Sequence, residues 1–163
     1  MIKIFKNIKN AYKIVSHVAN VTPLMTSRTL DSITGAKRVL IKCENFQRTG
    51  SFKFRGAWNC ISHIPLAERE KGIIAHSSGN FAQAVALVAQ ILKLKVTIVM
   101  PNNAIPSKIQ ATREYGAEVV LCGNNPGDRA EKAEELVEKH NYRLVHPFDD
   151  KNVIFGAGTT AYE

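Results

Sequence analysis

From residue 72 the apolar and polar positions settle into a regular alternation. "GIIAHSS" is a short apolar run closed by small polar residues, the pattern of a buried strand. "GNFAQAVALVAQILK" follows, with Ala82, Val85, Ala86, Ala89 and Leu92 on one helical face. "VTIVMP" predicts a second strand, ended by Pro101. "IPSKIQATREYG" predicts a helix with Pro106 in its first turn and Gly116 as its stop. "AEVVLCG" reads as a third strand and "YRLVHP" as a fourth. Between them lies the helix "PGDRAEKAEELVEKH", with Asp128 and Glu131 near its start and Lys139 and His140 at its end, as the helix dipole favours. Strands alternating with helices of this length predict a parallel sheet with helices packed on it. Residues 72–147 therefore read as a self-contained, three-layer α/β domain.

The first 71 residues close no sheet of their own. The start, "MIKIFKNIKNAYKIV", carries Ile4, Ile8, Tyr12 and Val15 at helical spacing. It is basic and acid-free but lacks the Arg and Ser of a transit peptide, so it reads as a surface helix. A turn at "VTPLMTS", a strand in "RVLIKCE", a loop "NFQRTGS" and a helix through "AWNCISHI" follow. The segment 148–163 begins one more element. The pattern thus predicts an incomplete part of a second α/β domain, built from 1–71 and re-entered at 148–163.

Composition narrows the class. Apolar residues make up 45% and charged residues 22% of 163, a globular balance. The longest apolar stretch, Ala82 to Leu92, is interrupted by Gln83 and Gln90 and falls short of the ~20 residues a membrane helix needs. Cys43, Cys60 and Cys122 are odd in number and far apart, which predicts reduced thiols and a cytoplasmic protein. No Cys or His spacing suggests a metal site. The net charge of +8 is uneven: 13 Lys and Arg against 4 acidic residues over 1–72, and 9 against 10 over 73–163. The basic residues are scattered and no nucleic-acid motif accompanies them, so they read as serving a small anionic ligand or merely a solubilising surface rather than nucleic acid.

Candidate chemistry sits in two places. In "TGSFKFRGAWNC", Ser51 is a plausible N-cap, and Phe54, Trp58 and Ile61 then fall at i, i+4 and i+7 of a helix. Lys53 lies in its first turn, where free backbone N–H groups, the helix dipole and the flanking Phe52 and Phe54 all disfavour a charged ammonium. Such a lysine is a candidate imine-forming nucleophile, or else a charge snorkelling off a helix end. In "HSSGNFAQA" a strand runs through Ser77, Ser78, Gly79 and Asn80 into a helix. Hydroxyls and backbone N–H groups at a helix start suit a carboxylate or phosphate, although Ser78 or Asn80 would equally serve as a plain cap. A third stretch, "GAGTTA" at 156–161, fits a dinucleotide fingerprint only in letters. The strand before it and the acidic residue ~20 positions on are both missing, so it is rejected.

Taken together, "TPLMTSRTLDSITGAKRVLIKCENFQRTGSFKFRGA", "SSGN", "MPNNAIPSKIQATREYGAEVVLCG" and "GAGTTAYE" resemble the threonine dehydratase and serine racemase group. These are fold-type II enzymes dependent on pyridoxal 5'-phosphate (PLP), with a tryptophan synthase β-like architecture. The resemblance runs from about Val18 to Glu163. It implies that Lys53 carries the cofactor as an imine, that Phe52 packs beside its ring, and that Asn80 hydrogen-bonds the ring 3-hydroxyl. It implies that Ser77, Ser78, Gly79 and Asn80 hold the substrate carboxylate, with Ser78 as the second acid/base of a racemase. Gln47, Arg48 and Thr49 fall where eukaryotic racemases place part of a nucleotide effector site. Phe81 stands where the family usually has His, which removes a polar contact near the carboxylate.

The resemblance also implies an activity and partners. The expected reaction is conversion of L-threonine or L-serine to a 2-oxo acid and ammonia, with PLP as cofactor and a small amino acid as substrate. The expected full-length form is a homo-oligomer with no membrane or nucleic-acid partner. Family members run about twice as far and carry their phosphate-binding glycine cup in the second half. The 163 residues are therefore expected to be either an N-terminal fragment of a longer enzyme or a natural truncation, inactive alone. Two alternatives stand beside the lyase: a serine racemase of the same group, and a non-catalytic module that binds a small anion or a partner.

Overall fold

The computed structural model describes residues 2–163. Helix α1 (Ile2–Val15) is followed by strand β1 (Leu24–Thr26), helix α2 (Arg28–Thr34) and strand β2 (Leu40–Lys42). Two short 3-10 turns then lead into α3 (Lys53–His63) and the single turn α4 (Leu66–Arg69). The regular part runs β3 (Ile73–His76), α5 (Asn80–Leu92), β4 (Val96–Pro101), α6 (Pro106–Glu114), β5 (Glu118–Cys122), α7 (Pro126–His140) and β6 (Arg143–Leu144), and the described chain ends in α8 (Lys151–Tyr162).

The main sheet has four strands in the order β5-β4-β3-β6, and all its neighbours are parallel. Period-two burial splits it into two faces. Ile73, Ala75, Ile98 and Met100 pack with Ala82, Val85, Ala86 and Ala89 of α5. Ile74 and Val99 face the other way, against Ala133, Leu136 and Val137 of α7. This is the predicted three-layer α/β arrangement. The same core cluster takes in Phe54, Ala57, Cys60 and Ile61, so α3 packs onto α5 through a continuous apolar contact.

The N-terminal part differs from expectation in two places. "VTPLMTS" does not merely turn: Leu24–Thr26 forms β1, antiparallel to β2 with Met25 opposite Ile41. Ser51 is not the cap of α3. The helix starts one residue later, with Phe52 at the N-cap position and no side-chain cap. The preceding turn sets this frame, because Thr49 (φ 58°) and Gly50 (φ 69°) are both left-handed. For β-branched Thr49 that conformation is costly and has to be held by its surroundings. Gln47 does part of this holding. It is buried, accepts from Asn20 N at 2.9 Å and Arg48 N at 3.0 Å, and donates to the Asn20 carbonyl at 2.8 Å.

"GAGTTA" lies inside α8, so it forms no phosphate-binding loop. Its glycine has a packing role. A Cβ on Gly156 would sit 2.5 Å from the Arg55 carbonyl oxygen and 2.7 Å from Asn59 Cβ, and one on Gly56 would sit 2.9 Å from the Val153 carbonyl oxygen. Glycine on both helices lets the α3 and α8 backbones touch. Beside this crossing, Arg55 is fully buried between Glu44 and Glu163. The cysteines are all free. Burial foremost, then Asp150, pushes the Cys60 thiol up to about 12, so it stays protonated.

Candidate active site

The strand order places a crevice where a ligand would be expected. From β3 the chain steps outward through α5 to β4 and through α6 to β5, then returns by α7 to β6 on the opposite side of β3. The switch point thus lies between β3 and β6. In such sheets ligands bind beyond the carboxyl ends of the strands at that point. A cleft of about 670 Å³ opens there. It is lined by Lys53, by His76 to Phe81 after β3, by Lys108, by the start of α7 (Pro126, Gly127, Arg129, Ala130) and by His146, Pro147 and Phe148 after β6. This size is typical of small-molecule sites.

The two stretches singled out from sequence meet in this cleft. Lys53 is the first residue of α3, with Nζ 4.8 Å from the Phe52 ring centroid. The alternating phenylalanines have separate fates: Phe54 is fully buried in the core, while Phe52 stays 40% exposed beside Lys53 and outside the cleft lining. Ser77, Ser78, Gly79 and Asn80 line the same cleft. Neither Ser78 nor Asn80 caps α5. The N-cap position is Gly79, no side chain caps the helix, and Ser77 Oγ accepts from Gly79 N at 3.3 Å. The first-turn N–H groups of α5 therefore lack a side-chain partner. Phe81, buried in the core, gives the loop no polar group.

Several lining residues had no place in the sequence reading. His76 is buried at the end of β3, its ring edge-on to His146 at 5.3 Å. Burial foremost, with the charges of His146 and Arg129 added, holds His76 below the usual imidazole value, so it is neutral near pH 7. His146 Nδ1 accepts from Asp149 N at 2.8 Å, which orients the ring beside His76. Lys108 crosses in front of Gly79 and donates to Asn80 Oδ1 at 3.0 Å. The available signal was positional: His76 ends β3 and His146 lies just past the end of the adjacent parallel β6, where site residues collect. Lys108 and Arg129 come from α6 and α7, two of the three crossover helices.

The cleft thus holds amines, a guanidinium, hydroxyls and free backbone N–H groups, and among the described residues no side-chain carboxylate lines it. Such a donor set suits a small anionic carbonyl compound, with an amine placed to condense with it. PLP, an aldehyde with a ring hydroxyl and a phosphate, fits that description. Lys53 would take the aldehyde carbon, and Asn80 can donate to the ring oxygen. Among the described residues no cluster of His, Cys, Asp and Glu could hold a metal, and no helix is long and apolar enough to cross a membrane.

A parallel α/β sheet with an amine-bearing cleft at its switch point defines a class of small-molecule α/β enzymes, and comparison with known proteins supplies the family. The profile of the family described as "Pyridoxal-phosphate dependent enzyme" matches residues 15–163, and the chain belongs to that family. It is 52% identical over 145 residues to an L-threo-3-hydroxyaspartate ammonia-lyase of Pseudomonas sp, covering 89% of this chain and 45% of that protein. It is 46% identical over 158 residues to the L-threonine ammonia-lyase of Thermotoga maritima, covering 97% of this chain and 39% of that protein. The structure of maize serine racemase superposes with a TM-score of 0.91 at 34% identity, covering 96% of this chain and 47% of that one. The chain spans less than half the length of these relatives. The family cofactor is pyridoxal phosphate, and the fold matches fold-type II structures.

Proposed function

We propose that this chain provides the cofactor-lysine half of an ammonia-lyase acting on 3-hydroxy amino acids. The observation that carries this reading is the convergence of Lys53 with the uncapped Ser77–Asn80 loop in one cleft free of carboxylates. Bound PLP supplies an electron sink for the bond pair released at the substrate α-carbon. Lys53 holds the cofactor and, once freed, moves the α-proton. Ser77, Ser78, Gly79 and Asn80 bind the substrate carboxylate, Asn80 also donates to the cofactor ring oxygen, and Phe52 flanks the ring. Loss of the 3-hydroxyl and hydrolysis give a 2-oxo acid and ammonia: 2-oxobutanoate from threonine, pyruvate from serine.

A second substrate reading has its own support. Arg129 adds positive charge to a cleft that no carboxylate lines among the described residues, which favours a substrate with a second acidic group, such as 3-hydroxyaspartate. A racemase remains the runner-up within the same chemistry, since Ser78 is exposed and lines the same cleft as Lys53. The test is borohydride reduction of the complete, PLP-loaded protein, peptide mapping, and an assay of its 2-oxo acid release from L-threonine, L-serine and L-threo-3-hydroxyaspartate. The label should fall on Lys53, with 2-oxo acid formed. A label on Lys42 or Lys71 sinks the site, and inversion of serine without 2-oxo acid favours the racemase.

A further inference from the structure

Lys108 is placed at odds with ordinary helix electrostatics. It lies in the first turn of α6, where the macrodipole repels a cation, and that turn contains no acidic residue. Among the described residues no carboxylate lies within ion-pairing distance of it. Its side chain is half-buried and crosses the Ser77–Asn80 loop, so that a Cβ on Gly79 would stand 3.0 Å from both Nζ and Cδ. Its one side-chain partner is the Asn80 amide oxygen at 3.0 Å. An ammonium has donors only, so this contact turns the Asn80 Nδ2 donors away from it. The loop then presents hydroxyls, helix-start N–H groups, amide N–H groups and one full positive charge.

We propose that Lys108 is a specificity residue, the counter-charge that binds the substrate carboxylate at the start of α5. The proposal rests on the amino-acid-lyase reading for the identity of the ligand, but its electrostatics stand apart from turnover. The incoming carboxylate takes the ammonium from Asn80 Oδ1, a neutral acceptor, and forms a charge-assisted pair. Phe81, with its ring in the core, contributes nothing polar, so the charge on this wall comes from Lys108. A Cβ at position 79 would crowd that path, at 3.0 Å from Lys108 Nζ and Cδ.

The test uses a ligand that cannot react with the cofactor. 3-Hydroxybutanoate has the carboxylate and hydroxyl of threonine without its amine, and 3-hydroxybutanamide is the uncharged control. Calorimetric titration of the protein should show preference for the acid, and Lys108→Met should weaken acid binding by ~10- to 100-fold, the range of a charge-assisted bond. Amide affinity should not change, and Lys108→Arg should keep most of the acid preference. Unchanged acid affinity in Lys108→Met overturns the proposal. Equal weakening of acid and amide also overturns it, since that outcome marks a structural role. So does a native protein that binds both ligands alike. Failure of turnover by the complete, PLP-loaded protein, with acid binding still dependent on Lys108, would instead refute the lyase reading.

Discussion

Replacing Arg55 by methionine should destabilise the fold by about 3–5 kcal/mol, far more than the ~0–1 kcal/mol of an exposed ion pair. The Arg55 side chain is wholly buried. Nε and Nη2 each lie 2.8 Å from a Glu44 oxygen, and Nη1 and Nη2 each lie 3.1 Å from a Glu163 oxygen. Lys42 Nζ and Thr22 N also donate to Glu163, so two cations balance two carboxylates. Methionine fills much of the space but leaves Glu44 with only the Thr22 hydroxyl at 2.7 Å. An unpaired buried charge is what makes breaking such a network costly. With a urea m-value of ~2 kcal/mol/M, the unfolding midpoint should fall by ~1.5–2.5 M. Adding Glu44→Gln and Glu163→Gln to the variant should recover most of the loss, because neutral side chains need no counter-charge. The acid limb gives a second readout. Burial raises the Glu163 value, but hydrogen bonds from Arg55, Lys42 and Thr22 N outweigh it and bring the carboxyl down to about 2 from 4.5. A depressed carboxyl contributes stability that is complete above the unfolded value and lost as pH falls through the folded one. The native protein should therefore lose about 3 kcal/mol between the ordinary carboxyl range and the depressed one, and Arg55→Met should lack most of that limb. A midpoint for Arg55→Met within about 0.3 M of the native protein at neutral pH would refute the reasoning.

Two further predictions concern packing. Gly156→Ala puts a methyl 2.5 Å from the Arg55 carbonyl oxygen, so the helices must separate. A loss of ~1–3 kcal/mol should appear as a lower melting temperature, and an unchanged one would contradict the close crossing. Residues 72–147 should behave as one folding unit, so limited proteolysis should cut first near 65–71 or after Pro147. Early cleavage within Val96–Met100 would speak against that boundary.

Local signals in the sequence determined the regular half of the fold. The apolar run of β4, its closing Pro101, the alanine-rich face of α5 and the acidic start of α7 each fix an element from residues adjacent in the chain. The motif around Lys53 and the Ser77–Asn80 loop were legible for the same reason. Tertiary structure decided the rest. Strand β1 has no buried residue and no alternation, so only its pairing with β2 makes it a strand. The start of α3 follows from a left-handed Thr49 that no propensity favours and only packing can hold. Arg55 reads as a surface cation by composition. It is buried because Glu44 and Glu163, the latter 108 positions away, meet it where two glycines bring α3 and α8 into contact. The walls of the cleft were also hidden. Lys108, Arg129 and His146 lie far from Lys53 in sequence, and they converge because the chain reverses direction in the sheet between β3 and β6. Periodicity specifies which face of an element is buried, but the order in which strands join is a property of the whole chain.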